Sequence, residues 1–277
     1  MNTKAPSARY AARPQDDDTQ KRLAVLIDAD NAQASIIEGL FEEIAKFGVA
    51  SVKRIYGDWT QPNLGSWKKV LLDHSIQPVQ QFAYTRGKNA TDSALIIDAM
   101  DLLYTGRFDG FCLVSSDSDF TRLAARLREE GLTVYGFGEE KTPSPFVSAC
   151  DKFIYTEILR PETNEPAARN DKPQPPATDK TPAEPAKPSS QNKQQKAPVD
   201  FIAKVIDDND DEDGWVELGV LGQNISKLRP AFDARLYGCK KLSELIKGQA
   251  KRFELQVRGS SATGGEALYV RNKKSGK

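Results

Sequence analysis

Residues 22–160 alternate between two hydrophobic periods. The run LAVLID is continuously apolar and predicts a buried strand that ends in IDADN. Ile36, Ile37, Leu40, Phe41 and Ile44 then recur at helical spacing until Gly48. SVKRIYG predicts a second strand, and Leu64, Trp67, Val70 and Leu71 a second helix. IQPVQQFAY predicts a third strand, in which Pro78 argues against a central place in a sheet. Leu95, Ile96, Ala99, Leu102 and Leu103 define a helix opening at a Thr91 and Asp92 cap. FCLVS predicts the fourth strand. Phe120, Leu123, Ala124 and Leu127 mark a helix stopping at Gly131, and LTVYGFG a fifth strand. This alternation predicts an α/β fold, a parallel sheet with helices on both faces. Ligands in such sheets bind outside the carboxyl ends of the strands.

The pattern stops at residue 161. Residues 161–198 contain no aromatic residue and no Val, Leu, Ile or Met, but more than half of the 16 prolines. Such a segment cannot bury enough surface to offset ordering and predicts a flexible Pro/Ala/Gln/Lys-rich linker. As a coil of about 37 residues it spans roughly 30–40 Å, which implies two domains at high mutual concentration without a fixed geometry. Residues 1–21 form a shorter tail of the same kind, and 273–277 a basic tail.

Periodicity returns over 199–272. VDFIAKVIDD predicts a short amphipathic helix, the acidic run 207–213 a solvated loop, and WVELGVLGQNISKLRPAF a helix ending at Pro230. KKLSELIKG predicts another helix, and FELQV with ALYVR a two-stranded wing, so the module reads as a winged helix-turn-helix.

Charge changes the picture only when divided by domain. The whole chain balances 39 basic against 39 acidic residues, which says nothing about partners. From Trp215 onward, 13 Lys or Arg face 5 Asp or Glu, a net charge of +8 that suits nucleic acid. Arg229, Lys240, Lys241 and Lys247 are candidate phosphate contacts, and a solvated basic face is the alternative for any one of them. The three cysteines lack CxxC spacing, which argues against a thiolate metal site or disulfides. With no apolar leader and no run near about 20 apolar residues, a soluble cytoplasmic protein is expected.

The chemistry concentrates at the strand ends. Asp28, Asp30 and Asn31 end the first strand, Asp92 opens the helix after the third, and Ser116, Asp117 and Asp119 follow the fourth. Two unit charges about 4 Å apart interact by about 4 kcal/mol at an effective dielectric near 20. Converging carboxylates therefore either protonate or bind a divalent cation. Hard oxygen ligands without His or Cys select Mg²⁺ or Mn²⁺, which suits phosphodiester hydrolysis. Asp117 and Asp92, taken singly, also fit helix caps; Asp28 and Asp30 at an apolar strand end do not. Arg86 and Lys88, in YTRGKNATD, read either as phosphate contacts or as a solvated loop. Trp59 reads as a packing residue, with base stacking the alternative. His74, the sole histidine, reads as a surface or helix-end residue, and GFGEE lacks the dinucleotide fingerprint.

IDADN, GKNATDSALIIDAM and LVSSDSDF, in this order, resemble the motifs of the NYN-domain family, in its LabA-like branch related to PIN-domain ribonucleases. The resemblance covers nearly all of 22–160. It implies a three-layer α/β PIN-like fold whose acidic cluster binds divalent metal to cut RNA, as an endonuclease. By position it assigns Asp28, Asp92, Asp117 and Asp119 to catalysis and metal binding. Asp30, Asn31, Asp98 and Ser116 become supporting residues. GCKKLSELIKG after a Leu-Arg-Pro helix end resembles the OST-HTH/LOTUS domain, with Cys239 where an aromatic is common. That implies binding of single-stranded or structured RNA, or else a protein partner. Two other readings remain. One is a non-catalytic RNA-binding regulator. The other is a haloacid-dehalogenase-like phosphatase with Asp28 as nucleophile, since IDADN also resembles that DxD motif, although Asn31 and Ala32 depart from it.

Overall fold

The computed structural model describes residues 20–82, 90–160, 196–259 and 266–273. Arg86, Lys88, most of the linker and both tails lie outside them.

In the N-terminal domain six strands form one parallel sheet. They are β1 (Arg22–Asp28), β2 (Val49–Gly57), β3 (Gln77–Gln80), β4 (Gly110–Val114), β5 (Thr133–Gly138) and β6 (Lys152–Tyr155), in the order β3-β2-β1-β4-β5-β6. Five helices connect them: α1 (Ile37–Ala45), α2 (Gly65–Val70), α3 (Ala90–Tyr104), α4 (Thr121–Glu129) and α5 (Ser144–Ala149). Strand parity sorts the core into two layers. Leu23, Val25 and Ile27 face α1 and α2 with Leu40, Trp67, Cys112 and Val114. Ala24 and Leu26 face α3, α4 and α5 with Leu95, Ala99, Phe111, Leu113, Leu123 and Phe146. Each fully buried Val, Leu, Ile or Phe among them stabilises by about 1.5–3 kcal/mol relative to exposure, so the central strands are held from both sides. This is the expected three-layer α/β fold, a PIN-like parallel sheet with helices on both faces.

One local expectation holds and two change. Pro78 lies in β3, an edge strand, where its missing N–H disrupts no inner ladder. The helix expected to open at Thr91 and Asp92 begins at Ala90, so Asp92 lies inside its first turn. A sixth strand, β6, follows the five expected. Its four residues, KFIY, are too short for a period to stand out.

The strand order reverses between β1 and β4. Each neighbour of this pair departs in the opposite direction, which leaves a crevice at their carboxyl ends.

The C-terminal domain comprises α6 (Val199–Asp207), β7 (Val216–Glu217), α7 (Leu218–Leu228), α8 (Leu242–Gly248), β8 (Phe253–Gly259) and β9 (Glu266–Asn272). Its wing has three strands, ordered β7-β9-β8, because the start of the segment expected to be one helix pairs with β9 instead. Ile202, Ile206, Leu221, Ile225, Leu245, Phe253 and Val270 make its core.

The two domains touch. The backbone N–H of Phe153 in β6 donates to the carbonyl of Pro230 at 2.9 Å, and Ala231 packs on the α3-side core. The contact joins residues far apart in the chain, which no local period can signal.

Candidate active site

Strand parity aims the first carboxylate. Asp28 continues the Ala24 and Leu26 face of β1, so it points into the α3 layer at the mouth of the crevice. It is fully buried and its oxygens are engaged. Oδ1 accepts from the backbone N–H of Asp30 at 3.0 Å, while Oδ2 accepts from Asn31 Nδ2 and Ser115 Oγ, each at 2.8 Å. Burial raises the Asp28 pKa above the ordinary carboxylate value, and these hydrogen bonds counteract it.

The helix period aims the second. Asp92, Leu95, Ala99 and Leu102 share one face of α3, so the stripe that buries the three apolar residues brings Asp92 to the sheet. Its place in the first turn also sets the carboxylate near the positive end of the helix. Beyond β4 the chain makes a one-turn 3₁₀ helix, Ser118–Phe120, whose N-cap is Asp117. Asp117 Oδ1 accepts from the Asp119 backbone N–H at 2.9 Å, so the cap reading holds as local structure. It does not exhaust the residue. Carboxylate oxygens of Asp92, Asp117 and Asp119 all lie within 4.8 Å of one another.

That convergence has an electrostatic signature. Asp92 is pushed up to about 6, first by burial and then by the charges of Asp28, Asp117, Asp119 and Asp30. Asp28 is therefore close enough to act on the group, although among the described residues it does not join the three-carboxylate set. Its buried, hydrogen-bonded oxygens suit a positioning role, and they offer no exposed nucleophile for a phosphatase of the haloacid-dehalogenase kind. Asp30 is exposed. It contributes its backbone N–H to Asp28 and its charge to the field at Asp92.

Other candidates are not brought to the site. Asp98 accepts from Arg54 and from the Tyr56 hydroxyl, tying α3 to β2. Burial, then the bond to Asp98, raises the Tyr56 pKa, so the phenol stays a donor. Asp98→Asn is expected to lower thermal stability, as checked by melting against the wild type. Ser116 Oγ accepts from the Glu139 N–H at 2.8 Å, on the α1 side of the sheet, away from the carboxylates. Ser115, rather than Ser116, contacts the acidic groups. Besides donating to Asp28, its Oγ accepts from the Asp117 N–H at 3.1 Å. The signal was strand parity: Phe111, Leu113 and Ser115 share the face that points toward α3. Trp59 packs on the α1-side core and donates its indole N–H to the Val79 carbonyl at 3.1 Å. His74 stacks on Phe41 at the opposite, amino end of the sheet. There it lines a groove of about 890 Å³ with Lys21 and Lys53.

In the C-terminal domain Lys240, Lys241 and Lys247 are exposed, and the Arg229 guanidinium lies 3.8 Å from the Phe201 ring centroid.

The NYN domain family matches residues 22–159, and the OST-HTH/LOTUS domain family matches 189–264. The chain is an NYN-domain protein with a C-terminal OST-HTH/LOTUS domain. An NYN domain implies a PIN-like nuclease, and an OST-HTH/LOTUS domain implies RNA binding. NYN and other PIN-like nucleases generally use divalent metals, and three carboxylates without a nearby thiol or imidazole fit a hard cation. The chain is also similar to a solved protein of unknown function from Vibrio parahaemolyticus, at 18% identity and a TM-score of 0.42, over 50% of this chain and 94% of that one. An uncharacterized protein from Nitrosomonas europaea, solved by solution NMR, shares 33% identity at a TM-score of 0.29, over 36% of this chain and 96% of that one. No curated protein matches the chain. Among the described residues no helix of this NYN protein is long and apolar enough to cross a membrane.

Proposed function

We propose that this chain is a metal-dependent ribonuclease that hydrolyses internal RNA phosphodiester bonds. Its NYN domain does the cutting, and its OST-HTH/LOTUS domain supplies RNA affinity. The observation that carries this reading is the convergence of Asp92, Asp117 and Asp119 at the reversal point of the sheet.

Those three aspartates would hold Mg²⁺ or Mn²⁺. The bound ion supplies charge stabilisation at the phosphoryl oxygens and lowers the pKa of attacking water. Asp28 orients the set through Ser115, whose hydroxyl bridges the Asp28 carboxylate and the Asp117 backbone. Asn31 holds the same carboxylate from the β1 side. With His74 at the far end of the sheet, no imidazole serves as general acid, and the leaving oxygen takes its proton from water. Lys240, Lys241 and Lys247 would contact phosphates remote from the scissile bond.

The test is cleavage of a circular RNA by the full chain with Mg²⁺ or Mn²⁺. Linear product from the wild type, with none from Asp117→Asn, is the expected result. Equal cleavage by both would overturn the assignment. Tight RNA binding without product, at any concentration of either ion, would favour a non-catalytic regulator.

A further inference from the structure

Glu43 is an anomaly for a surface helix. It lies on α1, yet its side chain is only 5% exposed, and a buried carboxylate destabilises unless it is paired and hydrogen-bonded. Its own domain supplies one partner, Lys46, at 2.7 Å. The other comes from the C-terminal domain. Arg235 grips both oxygens, Nη1 to Oε2 at 2.9 Å and Nη2 to Oε1 at 3.0 Å. This is the parallel fork that guanidinium and carboxylate make when each is held in place. Arg235 is so held. Asp233 accepts from its backbone N–H and Nε at 2.9 Å and from Nη2 at 2.6 Å, so the fork is aimed before it meets Glu43. Burial raises the Glu43 pKa, but the hydrogen bonds from Arg235 and then Lys46 outweigh it and hold the carboxylate below its ordinary value.

A second contact is independent of the first. β6 ends the sheet, and its outer edge would present unpaired N–H groups to another strand. The Pro230 carbonyl takes one of them, from Phe153, and Ala231 packs against the core beneath. A proline there accepts one bond and cannot donate to extend the pairing. Lys152 on the same strand also lies in the field of Asp233. Ionic, backbone and apolar contacts thus all fall on one loop of the C-terminal domain, between α7 and α8.

We infer that α1 around Glu43, with the free edge of β6, is a docking surface whose occupant is the chain's own OST-HTH/LOTUS domain. The two domains move in solution as one body. Because both domains belong to one chain, their contact is intramolecular, so even a modest interface stays closed. Lys240 and Lys241, at the far end of that loop, and Lys247 on α8 remain exposed in this arrangement. RNA bound there would reach the acidic crevice at a set distance. That consequence rests on the ribonuclease reading; the docking does not.

Nuclear spin relaxation of backbone amides in the full chain, without RNA or metal, tests it. Both domains of the wild type are expected to report one shared tumbling time. Glu43→Arg and, separately, Arg235→Ala are expected to lose it, each domain then tumbling faster on its own, with core chemical shifts unchanged. Arg235→Ala asks the question from the other domain should Glu43→Arg unfold the first. Two separate tumbling times in the wild type, or one shared time in both folded variants, would overturn the inference.

Discussion

Asp92→Asn is expected to reduce RNA cleavage by about 10²–10³-fold and, without metal, to melt higher than the wild type near neutral pH. The two effects have one cause. Asp92 is crowded by Asp28, Asp117, Asp119 and Asp30, and its carboxyl is raised to about 6 in the folded chain against an ordinary 3.8. The native state therefore holds a proton there that the unfolded chain has released, between about pH 4 and 6. Stability is highest below that window and falls as pH rises through it. An amide removes the charge, and with it the fall. It also removes an anionic oxygen from the three that would hold the cation. Adding Mg²⁺ or Mn²⁺ to the wild type should flatten the same pH dependence, because the ion satisfies the carboxylates that proton loss leaves repelling one another. Melting curves across pH, with and without metal, check the sign. A lower melting temperature for Asp92→Asn would mean that this carboxylate stabilises the fold and is not crowded by its neighbours.

Gly138→Val should lower both stability and cleavage. Gly138 ends β5 beside the end of β4, where a Cβ would lie 2.5 Å from the Ser115 carbonyl oxygen and 2.6 Å from Thr142 Oγ1. Neither neighbour can yield freely. Ser115 is tied to β5 by its N–H bond to the Phe137 carbonyl, and Thr142 Oγ1 donates to the Glu139 carbonyl. Overpacking of this kind costs about 1–3 kcal/mol, and the valine branches add to what a bare methyl would do. The displacement also falls on Ser115, the group that links Asp28 to Asp117. Loss of cleavage beyond the loss of folded protein is therefore expected, measured on the fraction still folded by circular dichroism. Gly138→Ala should show the same two losses, smaller.

The two serines after β4 show how far a linear pattern reaches. The motif LVSSDSDF marked Ser116 as a supporting group, yet Ser115 reaches Asp28, and Ser116 bonds Glu139 on the other side of the sheet. The deciding quantity is parity along β4, and it was available once Phe111 and Leu113 were placed on the α3 face. Asp98 went the other way. It belongs to the same motif as Asp92, but it lies a third of a turn away around the helix and meets Arg54 and Tyr56 instead. Asp28 falls between these cases: its position at the crevice follows from the pattern, while the engagement of both its oxygens does not.

Periodicity and strand-end chemistry by themselves determined the α/β order, the division into two folded regions and the gathering of aspartates at the carboxyl ends. These follow from local rules, because an apolar run or a helical stripe has one direction in which to bury itself. Tertiary structure decided what depends on distance. It selected Asp92, Asp117 and Asp119 as the group whose oxygens meet, with Asp28 alongside, because strand order and helix rotation bring them together across separate elements. It also paired Glu43 with Arg235, 192 positions away. A charge on a helix face looks the same in sequence whether it meets water or another domain, and only packing distinguishes the two.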